Sequence, residues 1–155
     1  MEKINTELDD YTLLIVGECY ENKAKYTDLI KNAGITDNVQ CHYSFVPDNE
    51  VGKYFSASDV VVLPYKTASQ SGIVQIAYHF DTPVIVSNVG GLPEIVDEGK
   101  TGYCVEPSSN AFAKAIKAFY EKDNINELNS NISDYKSQFS WDAIVNAIEE
   151  LVNVH

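Results

Sequence analysis

The sequence lacks a long apolar run, an excess of positive charge, and enough cysteines to form a disulfide framework. No stretch approaches the roughly 20 apolar residues needed to cross a bilayer. The opening segment MEKINTELDDY has no apolar stretch behind its lysine, so it does not read as a secretory signal. Lysine and arginine together number 11 against 23 acidic residues, giving a formal net charge of −12. That balance excludes a nucleic-acid-binding surface, which draws its affinity from clustered cations. It also excludes a polybasic lipid patch, leaving at most a peripheral association with membranes. A phosphate ligand is not excluded, because backbone N–H groups at a helix start can hold one locally. The three cysteines, Cys19, Cys41 and Cys104, are odd in number and scattered, and read as reduced, buried small residues in a reducing cytoplasm. His42, His79 and His155 show no metal-ligand spacing, so no metal or cofactor is expected. No G-x-G-x-x-G occurs, so the dinucleotide fingerprint is missing.

What is present fits one α/β domain over residues 1–155, with 45% hydrophobic residues to build a core. Strand and helix patterns alternate. Tyr11 to Val16 (YTLLIV) reads as a buried strand, Asn22 to Asn32 as a helix stopped at Gly34, and Val39 to Phe45 as a second strand. Pro47 and Asp48 open a short helix carrying Val51, Tyr54 and Phe55. Val60 to Leu63, the most β-branched run, is expected to be a central parallel strand. Gly72 to Phe80 follows as a helix, Pro83 to Ser87 as a buried strand, and Leu92 to Val96 as a helical turn. Tyr103 to Val105 is a short strand. Helices are then expected over Asn110 to Lys122 (capped by Ser108 or Ser109), Ile125 to Phe139, and Trp141 to Val154 behind Ser140. Such βαβ units predict a Rossmann-like parallel sheet with helices on both faces. Ligands of such sheets bind beyond the carboxyl ends of the strands.

Three strand-end loops stand out. In the first, Lys66 to Gly72, small hydroxyl residues, Gln70 and a glycine precede a helix. Free N–H groups and the helix dipole favour an anion there, although Ser69 and Ser71 also suit plain N-capping. The second, Asn88 to Glu94, has adjacent Gly90 and Gly91, which permit positive φ and close backbone approach. Its Glu94 suits either sugar hydroxyls or the local helix dipole. The third, Gly17-Glu18-Cys19-Tyr20, reads by default as a single-glycine turn.

Taken in order, LLIVGE, NVQCHYSFVPDNEVGKYFSASDVVVLPY and SGIVQIAYHFDTPVIVSNVGGLPEIVDEGKTGYCVEP resemble the C-terminal domain of the family 4, group 1 glycosyltransferases. The resemblance covers about residues 11–120, with residues 121–155 a helical C-terminal segment. These enzymes have the GT-B architecture, two Rossmann-like domains facing across a cleft, the C-terminal one holding the nucleotide-sugar donor. The resemblance implies retaining transfer of a sugar from a UDP-, GDP- or ADP-linked donor, without a metal. It implies donor contacts from Gln70, Ser71, Gly72, Ile73, Gln75 and Lys66, from Gly17 and Glu18, and from Gly90, Gly91 and Glu94. Phe45 and Val46 resemble the backbone bordering the nucleobase. Lys66 is read equally well as a solvated lysine.

Two departures qualify the likeness. The family's paired glutamates fall on Ala68 and Ile76, so their sugar and ribose roles have no carboxylate here; Gln70, Ser71 and Gln75 are the nearby polar replacements. The strand and helix that normally supply an Arg and a Lys for the diphosphate, and an N-terminal acceptor domain, have no counterpart in the sequence. No residue presents itself as a catalytic base. The expectation is therefore a donor-binding domain, a fragment or partial enzyme of polysaccharide biosynthesis, inactive by itself. A non-catalytic interaction module and a nucleotide-sugar epimerase half are the competing readings.

Overall fold

The computed structural model describes residues 10–122 and 125–137, together with Val145, Ile148, Glu149 and Val152. Strands and helices alternate as β1 (Leu13–Val16), α1 (Lys23–Asn32), β2 (Val39–His42), α2 (Asp48–Ser56), β3 (Val61–Leu63), α3 (Gly72–His79), β4 (Val84–Ser87), α4 (Leu92–Ile95), β5 (Gly102–Val105), α5 (Ser109–Glu121) and α6 (Ile125–Ser137). Every expected element from residue 11 to residue 137 is present, with ends shifted by up to three residues. The expected helix over Trp141 to Val154 and its Ser140 cap lie largely outside the described residues.

All strand pairings are parallel. β1 pairs with β2 in the register Leu13↔Val39, and β3, β4 and β5 form a second ladder in that order. The expectation that Val60 to Leu63 would be the central strand is corrected: among the described strands β3 bonds only to β4, and β4 holds the centre. The physical reason lies in its burial. All four β4 residues, Val84, Ile85, Val86 and Ser87, are buried, because helices cover both faces. Val84 and Val86 point into a cluster with Val74, Ala77 and Tyr78 of α3, Leu92 of α4 and Ile132 of α6. Ile85 points the other way, into Phe112, Ile116 and Phe119 of α5 and Leu128 of α6. That alternation is the two-residue period of a strand, with an apolar partner on each side.

Local chemistry fixes the element ends. Asn22 Oδ1 accepts from Ala24 N at 3.0 Å and Ser108 Oγ from Ala111 N at 3.2 Å, capping α1 and α5. Gly34, at φ 66°, takes the left-handed conformation that ends α1. β5 begins one residue earlier than expected, at Gly102, where a Cβ would overlap the Val84 carbonyl oxygen of the neighbouring strand. Only glycine permits that approach.

The cysteines also require a correction. All three are free, but Cys41 is exposed and Cys19 and Cys104 are only half-buried. Among the described strands β2 pairs only with β1, and three of its four residues are exposed, Cys41 among them.

A polar knot ties α3 to the loop before β5. The buried Tyr78 hydroxyl lies 2.7 Å from Thr101 Oγ1 and 3.1 Å from the Ile95 carbonyl oxygen, and Thr101 Oγ1 accepts from Asp97 N at 3.0 Å. Burial pushes the Tyr78 phenol well above its ordinary range, which keeps it neutral and able to donate. Tyr78→Phe leaves the ring in place but removes both hydroxyl contacts. Urea unfolding is expected to show a loss of about 1–3 kcal/mol with an unchanged m-value.

Candidate functional site: a helix start at the carboxyl edge of the sheet

Because every described strand runs parallel, the loops after β1, β2, β3 and β4 leave from one edge of their ladders. The first loop leads into α3. Ser71 occupies the N-cap with extended backbone (φ −138°, ψ 112°), but its side chain makes no cap bond to the helix. The hydroxyl instead lies 3.5 Å from the Tyr65 hydroxyl, a distance too long for a strong bond. Among the described residues, the first-turn N–H groups of α3 therefore have no side-chain acceptor, and the dipole places partial positive charge there. A Cβ built on Gly72 meets nothing within 4 Å, so the space over this turn is open. Gln70, Gly72 and Ile73 are exposed and Ser71 is buried.

Lys66, exposed on the same loop, forms no hydrogen bond or ion pair among the described residues. Its field does reach Glu21, at the opening of α1. That carboxyl is held below its ordinary range first by hydrogen bonds from Lys25 and Tyr26 and more weakly by Lys66. Arginine is absent from the sequence, so lysine is the only permanent cation available for such a site.

Gly17 continues the β1 ladder by donating to the His42 carbonyl oxygen at 3.0 Å, with φ 131°, which few other residues adopt. Glu18 Oε2 accepts a 2.6 Å hydrogen bond from the Tyr20 hydroxyl, which pushes the tyrosine pKa up. Tyr20 is 90% exposed and Phe45 66% exposed, so two aromatic rings stand in solvent beyond β1 and β2. Val46, beside Phe45, is half-buried. Tyr20 was not singled out from the sequence; its exposure depends on the tertiary fold, and nothing local in the pattern marks it.

The second loop meets the first. Gly91 N donates to the Ser69 carbonyl oxygen at 3.1 Å, and Gly90, at φ 56°, lies against the Ala68 carbonyl. The structure thus brings together Lys66, Gln70, Ser71, Gly72, Gly90 and Gly91. Glu94 is exposed on α4, with its N–H given to the Gly91 carbonyl oxygen at 3.3 Å. Gln75 is placed elsewhere: it lines a hollow of about 250 Å³ between α3 and α6, with Tyr78, His79, Tyr135 and Lys136. A second hollow of about 180 Å³ lies beside the entry to β4, lined by residues such as Phe55, Asp59, Asp81 and Thr82. Neither hollow includes the α3 start, which is an open face. No cluster of three or more metal-ligating side chains occurs among the described residues. No helix among them is long and apolar enough to cross a membrane.

Alternating β and α elements, parallel ladders and an open helix start at the carboxyl edge define a Rossmann-like α/β domain. The sequence profile described as Glycosyl transferases group 1 matches residues 1–139, and the chain belongs to that family. A D-inositol 3-phosphate glycosyltransferase of Corynebacterium kroppenstedtii is 28% identical over 119 residues, covering 76% of this chain and 26% of that protein. Sucrose-phosphate synthase of Thermosynechococcus elongatus superposes with a TM-score of 0.79 at 25% identity, over 98% of this chain and 41% of the other. Anabaena HepE, solved in complex with UDP-glucose, superposes with a TM-score of 0.76 at 21% identity, over 99% of this chain and 44% of its own. The chain thus spans about a quarter of its sequence relative and has the fold of the C-terminal half of a GT-B enzyme.

The two serines at helix starts separate capping from an open turn. Ser108→Ala removes a cap bond and is expected to lower stability by about 1 kcal/mol in chemical denaturation. Ser71→Ala removes none, so its cost is expected to stay within about 0.5 kcal/mol.

Proposed function

We propose that the chain is the donor-binding domain of a retaining glycosyltransferase, which takes a sugar from a nucleotide diphosphate to a glycan or lipid-linked acceptor. The observation that carries this reading is the uncapped first turn of α3 under the open space at Gly72. A diphosphate seated there accepts hydrogen bonds from backbone N–H groups while the helix dipole offsets its charge. The same donors stabilise the charge that grows on the diphosphate as the glycosidic bond breaks. Gln70, Ser71, Gly72 and Ile73 form the seat, and Lys66 adds a mobile cation beside it. Gly17, Glu18, Phe45 and Val46 border the nucleotide, and Glu94 reaches the sugar. A UDP-glucose complex of HepE, which shares the fold, supports the class of ligand.

The acceptor and the remaining catalytic groups belong, on this reading, to an N-terminal acceptor-binding domain across the cleft. A free-thiol chain suits a reducing compartment, and the cytoplasm is the proposed location. One observation favours the alternative of a non-catalytic interaction module. Ile76, where the resemblance would put a ribose-binding carboxylate, is an apolar side chain 36% exposed on α3.

Calorimetry with UDP-, GDP- and ADP-glucose separates the two readings. Saturable binding is expected for one nucleotide class. Gly72→Val is expected to abolish it while circular dichroism stays unchanged, because the new side chain enters empty space rather than the core. Lys66→Ala is expected to weaken binding by less than about ten-fold and to flatten its salt dependence, as for an exposed charge. No binding of any of the three by the unaltered chain would overturn the donor reading in favour of the interaction module.

A further inference from the structure

Most N–H groups of the turn between β4 and α4 bond within the protein. Asn88 N bonds to the Val105 carbonyl oxygen at 2.7 Å, Gly91 N to that of Ser69 at 3.1 Å, and Leu92 N to that of Val89 at 3.3 Å. Gly91 N to Ser69 is, among the described residues, the only backbone hydrogen bond tying residues 66–70 to another part of the chain. The fit at this contact is tight on both glycines. A Cβ on Gly90 would overlap the Ala68 carbonyl oxygen, and one on Gly91 would stand 2.6 Å from that of Ser69. The loop ahead of α3 is thus seated by main-chain atoms of a second loop, with no side chain between them.

We propose that Gly90 and Gly91 are positioning residues: by fixing the Ala68 and Ser69 carbonyls they set the direction of the first N–H groups of α3, without touching the ligand themselves. The proposal deepens the donor-binding reading and rests on it. It reassigns the glycine pair from cradling the donor to holding the loop that does so. Shifting a set of donors by even a fraction of an ångström costs affinity steeply, because hydrogen bonds to an anion depend on distance and direction.

The test uses a substitution that strains the contact and little else. Gly91 has φ −87°, which any residue adopts, so Gly91→Ala disturbs only the packing on Ser69. Gly34→Ala is the control. Its φ of 66° makes it costly, but a Cβ there meets nothing within 4 Å, and the residue lies after α1, away from the site. Binding of UDP-, GDP- and ADP-glucose, the thermal midpoint and amide NMR shifts are measured for the unaltered chain and both variants. For Gly91→Ala the amide resonances of Gly72 and Ile73 are expected to move, and affinity for the bound nucleotide sugar to fall by about ten-fold or more. Gly34→Ala is expected to melt earlier yet bind as the unaltered chain does. Unchanged Gly72 and Ile73 resonances, or unchanged affinity in Gly91→Ala, would overturn the positioning role and leave the donor reading intact. Failure of the unaltered chain to bind any of the three would instead remove the donor reading, and this proposal with it.

Discussion

The structure depends on one constraint, the burial of β4 on both faces with a parallel neighbour on each side. Val84, Ile85, Val86 and Ser87 have no access to solvent. The side chains of Val84, Ile85 and Val86 must therefore find apolar partners alternately toward α3 and α5, while their backbone groups are satisfied by β3 and β5. Parallel pairing then obliges each connection to cross from one edge of the ladder to the other. As a result the loops after β3 and β4 leave the same edge and touch. The site follows from the topology, since the contact between Gly91 and Ser69 exists only where those two connections meet.

Much of this arrangement is legible in the sequence. The run from Pro83 to Ser87 reads as a buried strand, and Gly34 marks the end of α1 by its conformational freedom. The order of the strand-end motifs carries the family resemblance, which the profile match over residues 1–139 bears out. The central place of β4 was harder to read. Val60 to Leu63 is as β-branched as any run in the chain, and residue type alone does not say how many neighbours a strand acquires. The exposure of Cys41 was equally invisible: a small apolar residue on a strand is read as core, and only the single-sided pairing of β2 shows otherwise.

The site was legible by composition but not by contact. Gly72 and Ser71 could be marked as a helix start, yet whether Ser71 caps its own helix depends on a rotamer that the sequence does not encode. Gln75 looked like a substitute for a missing carboxylate because it lies close to Ile76 in sequence. One residue along a helix is a rotation of about 100°, and that turn carries Gln75 toward Tyr135 and Lys136 of α6. Gly90 and Gly91 were marked for their freedom of backbone approach; that this freedom is used against the Ala68 and Ser69 carbonyls shows only in the structure.

The unused hydroxyl of Ser71 has a kinetic consequence. A serine that closes its own helix must rotate away before an incoming anion can take the same N–H groups, which places a conformational step ahead of association. Here, among the described residues, no side chain occupies the first turn of α3. On the proposed donor-binding reading, an arriving phosphate meets an already formed helix start and needs no serine rotation first. On that same reading, selectivity among anions rests on the side chains around the seat rather than on the seat itself.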